Sequence, residues 1–258
     1  MNAATDAQLT ATPPTTAHPG TRERPTRTHL STGRIIGALF LAGFLTYGTG
    51  SILTTSITES SDVIGSVAAH QSAFAIGAVL MLTVGAVEIG KAVLFFPVLG
   101  RPGRRTALAY LASMVVEVTL MAVGVVALLT LVPLGDHVQS GATSGALGQT
   151  LGTFALDLND LAYQAGQAAV AVGAFFLSVF LYWSRLVPRF LAMWGAIGYL
   201  LHLTGATAEL LGIHISMLLL IPGGLFELAF ATWLLVRGFT SRTDSPTGES
   251  SSRSFMTS

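Results

Sequence analysis

The sequence predicts an all-α, polytopic membrane protein: a bundle of six transmembrane helices with the N and C termini in the cytoplasm. Three observations lead there. Charged residues make up only 10% of the 258 residues and hydrophobic ones 51%, whereas soluble domains carry about 25% charge to cover their surface. Six apolar segments are each long enough for the roughly 20 helical residues that cross a hydrocarbon core about 30 Å thick. The arginines fall only in alternate connections between those segments.

Residues 1–33 are rich in Thr, Pro, Ala and Arg and poor in large apolar side chains, so they read as a disordered cytoplasmic tail. The apolar run that follows is long and lacks a small-residue cleavage pattern, which argues against a secretory signal. The six segments cover residues 35–57, 72–99, 106–134, 159–183, 189–211 and 215–237 and define a transmembrane domain over 34–239. They are read as helices because a backbone facing lipid must satisfy its own hydrogen bonds. Between the third and fourth, the stretch GDHVQSGATSGALGQTLG predicts a flexible outer connection with room for a short interfacial helix. A very short turn near Gly212 to His214 makes the fifth and sixth an antiparallel hairpin. Residues 240–258 form a second polar tail, also expected to be disordered and cytoplasmic.

The charges orient the bundle. Arg22, Arg24, Arg27 and Arg34 precede the first segment. Arg101, Arg104 and Arg105 lie between the second and third, Arg185 and Arg189 between the fourth and fifth, and Arg237, Arg242 and Arg253 follow the sixth. The remaining connections hold Glu59, Asp62, Asp136, Asp157 and Asp160 but no Lys or Arg. Twelve of the thirteen cations thus obey the positive-inside rule, and the thirteenth, Lys91, lies within a segment, close enough to the cytoplasmic end to snorkel. Arginine outnumbers lysine twelve to one and alanine is plentiful, a bias of GC-rich bacterial genomes. The expected location is therefore a bacterial cytoplasmic (inner) membrane, crossed several times, with the lipid bilayer as first partner.

Composition also excludes whole classes of function. With no cysteine, disulfides, thiolate metal sites, iron–sulfur ligation and cysteine nucleophiles are out. A formal net charge of zero offers no basic surface for nucleic acid. HExxH, GxSxG and P-loop motifs are absent from the sequence, so no cofactor is expected.

Polar residues inside the apolar segments carry what functional signal there is. A carboxylate in the bilayer costs on the order of a few kcal/mol even on insertion scales, so each one needs a reason. Glu88, Glu117, Glu209 and Glu227 lie within segments. At about 1.5 Å per residue, Glu88, Glu117 and Glu227 fall roughly 13–17 Å from the cytoplasmic ends, with His202 slightly deeper. These residues are candidates for one internal polar site, with Lys91 one turn from Glu88 as its counter-charge. On the fifth segment Gly195, Gly198, His202, Gly205, Glu209 and Gly212 make a small-and-polar seam of helical spacing. The fourth carries Asp160, Gln164, Gln167, Ala171, Ala174 and Ser178, and the third Thr106, Tyr110, Ser113, Glu117 and Gly124. Such stripes face protein or a cavity rather than lipid. Two readings stay open: an ion, proton or solute site, or the ordinary packing of membrane helices through small residues and self-neutralised pairs.

Three histidines, His70, His137 and His214, map to the outer face near Asp157 and Asp160. Together they offer an outer metal site, although no two histidines have ligand spacing on one helix. Gly33 and Gly37 form a GxxxG at the start of the first segment, a signal for association with a second copy or a partner helix. GGLFE after Pro222 marks a packing notch, or a broken helix at a binding site.

The strings RIIGALFLAGFL, SRLVPRFLAMWG and IPGGLFELAFATWLLVRG resemble a bacterial membrane family known as domain of unknown function 4386. The resemblance spans residues 34–239 and rests on Arg34, Gly37, Ser184, Pro188, Arg189, Gly195, Pro222, Glu227, Trp233 and Gly238. Glu117 matches the carboxylate the family places in its third helix. Members often carry an Arg one turn earlier, where this chain has Met114, which leaves Lys91 as the substitute cation. The resemblance implies a six-helix fold and no particular activity. The leading expectation is thus a non-enzymatic membrane protein with a small-solute, ion or proton pathway. The alternatives are a membrane partner subunit or sensor, and an outer-face metal-dependent hydrolase.

Overall fold

A computed structural model describes residues 27–240. Of the tails expected at 1–33 and 240–258, residues 1–26 and 241–258 lie outside the described residues. Among the described residues seven helices follow one another: α1 (Arg27–Thr58), α2 (Val63–Ala69), α3 (Gln71–Leu129), α4 (Leu131–Gln139), α5 (Gly145–Ser184), α6 (Arg189–Leu210) and α7 (Ser216–Arg237). Five helical runs among the described residues are long and apolar enough to cross a membrane: Ser31–Thr58, Gln71–Gln139, Gly145–Ser184, Arg189–Leu210 and Leu218–Arg237. The described residues are all-helical, and the chain is a multi-pass integral membrane protein. Helix α1 starts at Arg27, so the end of the stretch read as tail is helical.

The 59 residues of α3 would reach about 90 Å if straight, three times a hydrocarbon core. They do not run straight. Gly100, between Pro97 and Pro102, takes φ 62 and ψ −164, a conformation that residues with a Cβ rarely adopt. The chain folds back there: Val118 lies against Gly85, and the rings of Phe95 and Tyr110 meet edge-to-face at 5.4 Å. The halves of α3 are therefore the antiparallel pair that the second and third segments predict.

Contacts between turns sort the bundle into two ends. Gly33 packs on Gly238 and Phe239, the Thr240 amide donates to the Leu186 carbonyl at 2.9 Å, and Phe180 lies against Gly103. This end holds Arg34, Arg101, Arg104, Arg105, Arg185, Arg189 and Arg237. The opposite end is free of Lys and Arg among the described residues. There α2, α4 and the first turns of α5 make a cap. Gln149 donates to Asp62 at 2.5 Å, and Gln71 to Asp136 at 2.7 Å.

The cap corrects the flexible connection expected over Gly135 to Leu158. Helix α4 runs on to Gln139, and α5 starts at Gly145 behind the N-cap Ser144. The glycines that suggested mobility serve close approach instead: Gly148 sits on Val138, and Gly152 on Ile64 and Leu131. The GxxxG of α1 is likewise occupied within the chain. A Cβ on Gly37 would lie 2.7 Å from the Ala231 carbonyl oxygen, so this motif joins α1 to α7.

Helices α1 and α7 touch closely near the arginine-bearing end and diverge away from it. Gly37 meets Ala231 and Leu234, and Phe40 meets Phe230 edge-to-face at 5.6 Å. Further on, a Cβ at Gly48 or Gly224 would find nothing within 4 Å. The splay leaves a space inside the bundle, and that space positions the candidate site.

Candidate functional site

Two cavities lie in the splayed half. The inner chamber, of about 200 Å3, is lined by Glu88, Lys91, Glu117, Gln167, His202 and Glu227, with Phe40, Phe44, Tyr47 and Tyr163 among its apolar and aromatic walls. The outer vestibule, of about 450 Å3, is lined by Thr54, Thr58, Asn159, Asp160, Gln164 and Glu209. Tyr47, Tyr163 and Leu220 line both. The two tyrosine rings stack at 5.8 Å and 11°, forming a partition between the cavities.

Each side of the chamber comes from a helical stripe. On α5, Gln164, Gln167, Ala171, Ala174 and Ser178 are buried along one face. The seam of α6 is buried at Gly195, Gly198, His202 and Gly205. A Cβ on Gly198 would stand 3.1 Å from the Gly223 Cα, so the α6–α7 pair is backbone-to-backbone here and brings His202 and Glu227 inward. The GGLFE stretch is thus a packing notch in a continuous α7, with the Trp194 indole donating to the Pro222 carbonyl at 3.1 Å.

The charged groups have distinct partners. Lys91 is only 3% exposed. It does not snorkel: its Nζ lies 2.5 Å from Glu88 Oε2 and 3.9 Å from the centroid of the Phe40 ring. Burial beside a carboxylate holds it in place, where snorkelling to water would break both contacts. Lys91 pairs with Glu88, while Glu117 accepts from Gln167 Nε2 at 3.5 Å through Oε1. Glu227 Oε1 accepts from the Tyr199 hydroxyl at 2.6 Å. Glu117 and His202 are each 6% exposed, and Glu117 Oε2 and His202 Nε2 have no hydrogen-bond partner among the described residues. An unsatisfied buried polar atom is costly, so these two atoms mark where a ligand or proton has something to gain.

The other residues singled out by sequence go elsewhere. Asp160, Gln164 and Glu209 line the vestibule rather than the chamber. His214, outside the helices, bonds Glu209 through Nδ1 at 2.6 Å. That hydrogen bond, and then the Glu209 charge, hold the imidazole above its ordinary range. His70 bonds the Ser66 carbonyl of its own helix. His137 and Asp157 are exposed on α4 and α5. No three His, Asp or Glu side chains among the described residues come together to hold a metal ion, so His70, His137, His214, Asp157 and Asp160 form no joint centre.

Sequence reasoning missed the partition. Its signal was present in α1: Gly43, Tyr47, Gly50, Thr54 and Thr58 recur at helical spacing, a small-and-polar stripe like those of α5 and α6.

Residues 35–238 match the family described as domain of unknown function 4386. The chain belongs to that family. The match covers every helix that lines the two cavities. No curated protein and no solved structure matches the chain. Membership in the family fixes no chemistry, and the function has to be argued from the site.

Proposed function

We propose that this member of the family crosses a bacterial cytoplasmic membrane six times, with both termini in the cytoplasm, and passes a proton, cation or small solute through its carboxylate-lined chamber. The fold-back at Gly100, which divides the longest apolar run in two, supports six crossings. The gathering of arginines at one end supports the orientation.

One observation carries the functional reading. Three carboxylates, one ammonium and a histidine from α3, α6 and α7 line a single chamber that borders a polar vestibule. Intramembrane ionisable groups facing an internal cavity are the usual mark of an ion or substrate path. The vestibule lies between the tyrosine partition and the arginine-free end, with Thr58 and Glu209 in its lining. Toward the other end an aromatic cluster blocks it: Phe40, Phe95, Phe226, Phe230 and Phe239 meet ring to ring. A path closed on one side suits one state of an alternating-access cycle. The same closure favours a second reading, a sensor that takes its ligand from the outside and couples it to a partner helix.

The test is flux. Full-length protein in liposomes is assayed for decay of a proton, a sodium or a potassium gradient, alongside Glu117→Gln. The expected result is decay faster than in empty liposomes, with the gain lost in the variant. Absence of any Glu117-dependent flux of these three ions, and of a small organic cation assayed in the same liposomes, would contradict the pathway.

A further inference from the structure

The chamber contains its own example of what it binds. Lys91 places an ammonium against a carboxylate, Glu88, at 2.5 Å, and over the face of an aromatic ring, Phe40, at 3.9 Å. Both contacts are favourable to a cation, and the ring contact strengthens when the cation is desolvated. Lys91 neutralises only one of the three carboxylates. Glu117 and Glu227 face the same space with no cationic side chain bonded to them among the described residues, and Glu117 Oε2 and His202 Nε2 are buried acceptor or donor positions with nothing to bond.

Resting on the pathway reading, we infer that the chamber, with about 200 Å3 of space, binds a small organic cation, an ammonium compound, held by Glu117 and reached past Tyr47 and Tyr163. The lining selects for this class over a bare metal ion. Hard cations need six or more oxygen ligands at short range, and no cluster of acidic or histidine side chains close enough for that exists among the described residues. The walls offer aromatic rings instead: Phe44 beside the carboxylates, and the outer sides of the stacked Tyr47–Tyr163 pair at the entrance, while Phe40 already carries the Lys91 ammonium. Aromatic faces around a carboxylate are the chemistry that recognises ammonium groups. An N–H donor on the ligand would satisfy Glu117 Oε2, and the splay beside Gly48 and Gly224 gives its carbon skeleton room.

The experiment is calorimetric titration of the detergent-purified full-length protein with butylammonium and tetramethylammonium chloride, against 1-butanol and potassium chloride at matched ionic strength. Saturable binding of at least one ammonium compound, with none of butanol or potassium, is expected. Glu117→Gln should weaken it by about tenfold or more, since a charge-assisted contact is lost. Gly224→Leu, which grows into open space, should abolish binding while the melting temperature holds. Should Glu117→Gln fail to fold, Gly224→Leu and Glu227→Gln carry the same test. No ammonium binding to the wild type, equal binding of butanol or potassium, or undiminished binding by both Glu117→Gln and Gly224→Leu overturns the inference. Glu117-dependent proton flux without ammonium binding refutes this inference and spares the pathway. Ammonium binding without any flux supports the site and refutes transport.

Discussion

Removing Lys91 tests whether the chamber is held together electrostatically. Its ammonium is 3% exposed and stands 2.5 Å from Glu88 Oε2, so Lys91→Met leaves the Glu88 carboxylate without its cation. Glu88→Gln leaves the more deeply buried ammonium with only the Phe40 ring. Breaking a buried pair from one side costs about 3–5 kcal/mol, whereas replacing both partners by neutral groups is often neutral or stabilising. For a chain of this size each kcal/mol moves the midpoint by about 2–4 °C, so either single variant should melt about 6–20 °C below wild type. The double variant should return to within about 5 °C. The assay is thermal unfolding of the four detergent-purified proteins, read by tryptophan fluorescence. If the double variant falls by the sum of the two singles, the groups do not interact, and the ion pair has no part in shaping the site.

Two glycines of the α6–α7 pair give opposite expectations. Gly198→Ala forces a Cβ to 3.1 Å from the Gly223 Cα and should cost about 1–3 kcal/mol by overpacking, whereas Gly224→Ala meets nothing and should gain about 0.5–1 kcal/mol of helix propensity; urea or thermal midpoints decide. The His214–Glu209 bond makes a pH prediction. Because Glu209 raises the His214 pKa, the bond's contribution is fully present below the ordinary histidine range near pH 6.5 and fades as pH rises through the raised value. The difference in melting temperature between wild type and His214→Ala should therefore shrink with rising pH; a difference that grows contradicts the pairing. Absence of cysteine makes topology directly readable. In intact cells an impermeant maleimide should label Ala142→Cys at the cap, and should label Thr240→Cys only after permeabilisation.

Much of the architecture was legible because the membrane imposes simple rules on sequence. Six apolar stretches and the alternation of arginine with acidic connections anticipate the two ends of the bundle, and stripes such as Gly195–Gly198–His202–Gly205 anticipate the buried faces. The similar depth of Glu88, Glu117, Glu227 and His202 was legible from counting along the helices, because helical rise fixes height. What helical rise does not fix is rotation about each axis and the distance between helices. Hence the division into chamber and vestibule, which sends Asp160, Gln164 and Glu209 to one cavity and Gln167 to the other, was not readable. Nor was the partner of Gly33 and Gly37, since a GxxxG serves a helix of the same chain as well as another copy. Glycine in 145–152 was read as mobility, because composition alone cannot tell a loop from a close helix crossing. The pairing of Lys91 with Glu88 was legible from their spacing of three residues, while its burial under Phe40, which keeps it from snorkelling, is a tertiary fact.

The proposed pathway requires that the carboxylate chamber inside the bundle be reached from the arginine-free side. A cysteine in place of Met121, which lines the chamber, tests it through reaction with water-soluble thiosulfonates, one bearing a trimethylammonium group and one a sulfonate. With the reagents applied to the outer face of intact cells, the cationic reagent should modify Met121→Cys faster than the anionic one, and adding Glu117→Gln should slow it. If neither reagent reacts from outside, or both react at one rate regardless of Glu117, the chamber is not an entered, cation-selective site and the account fails.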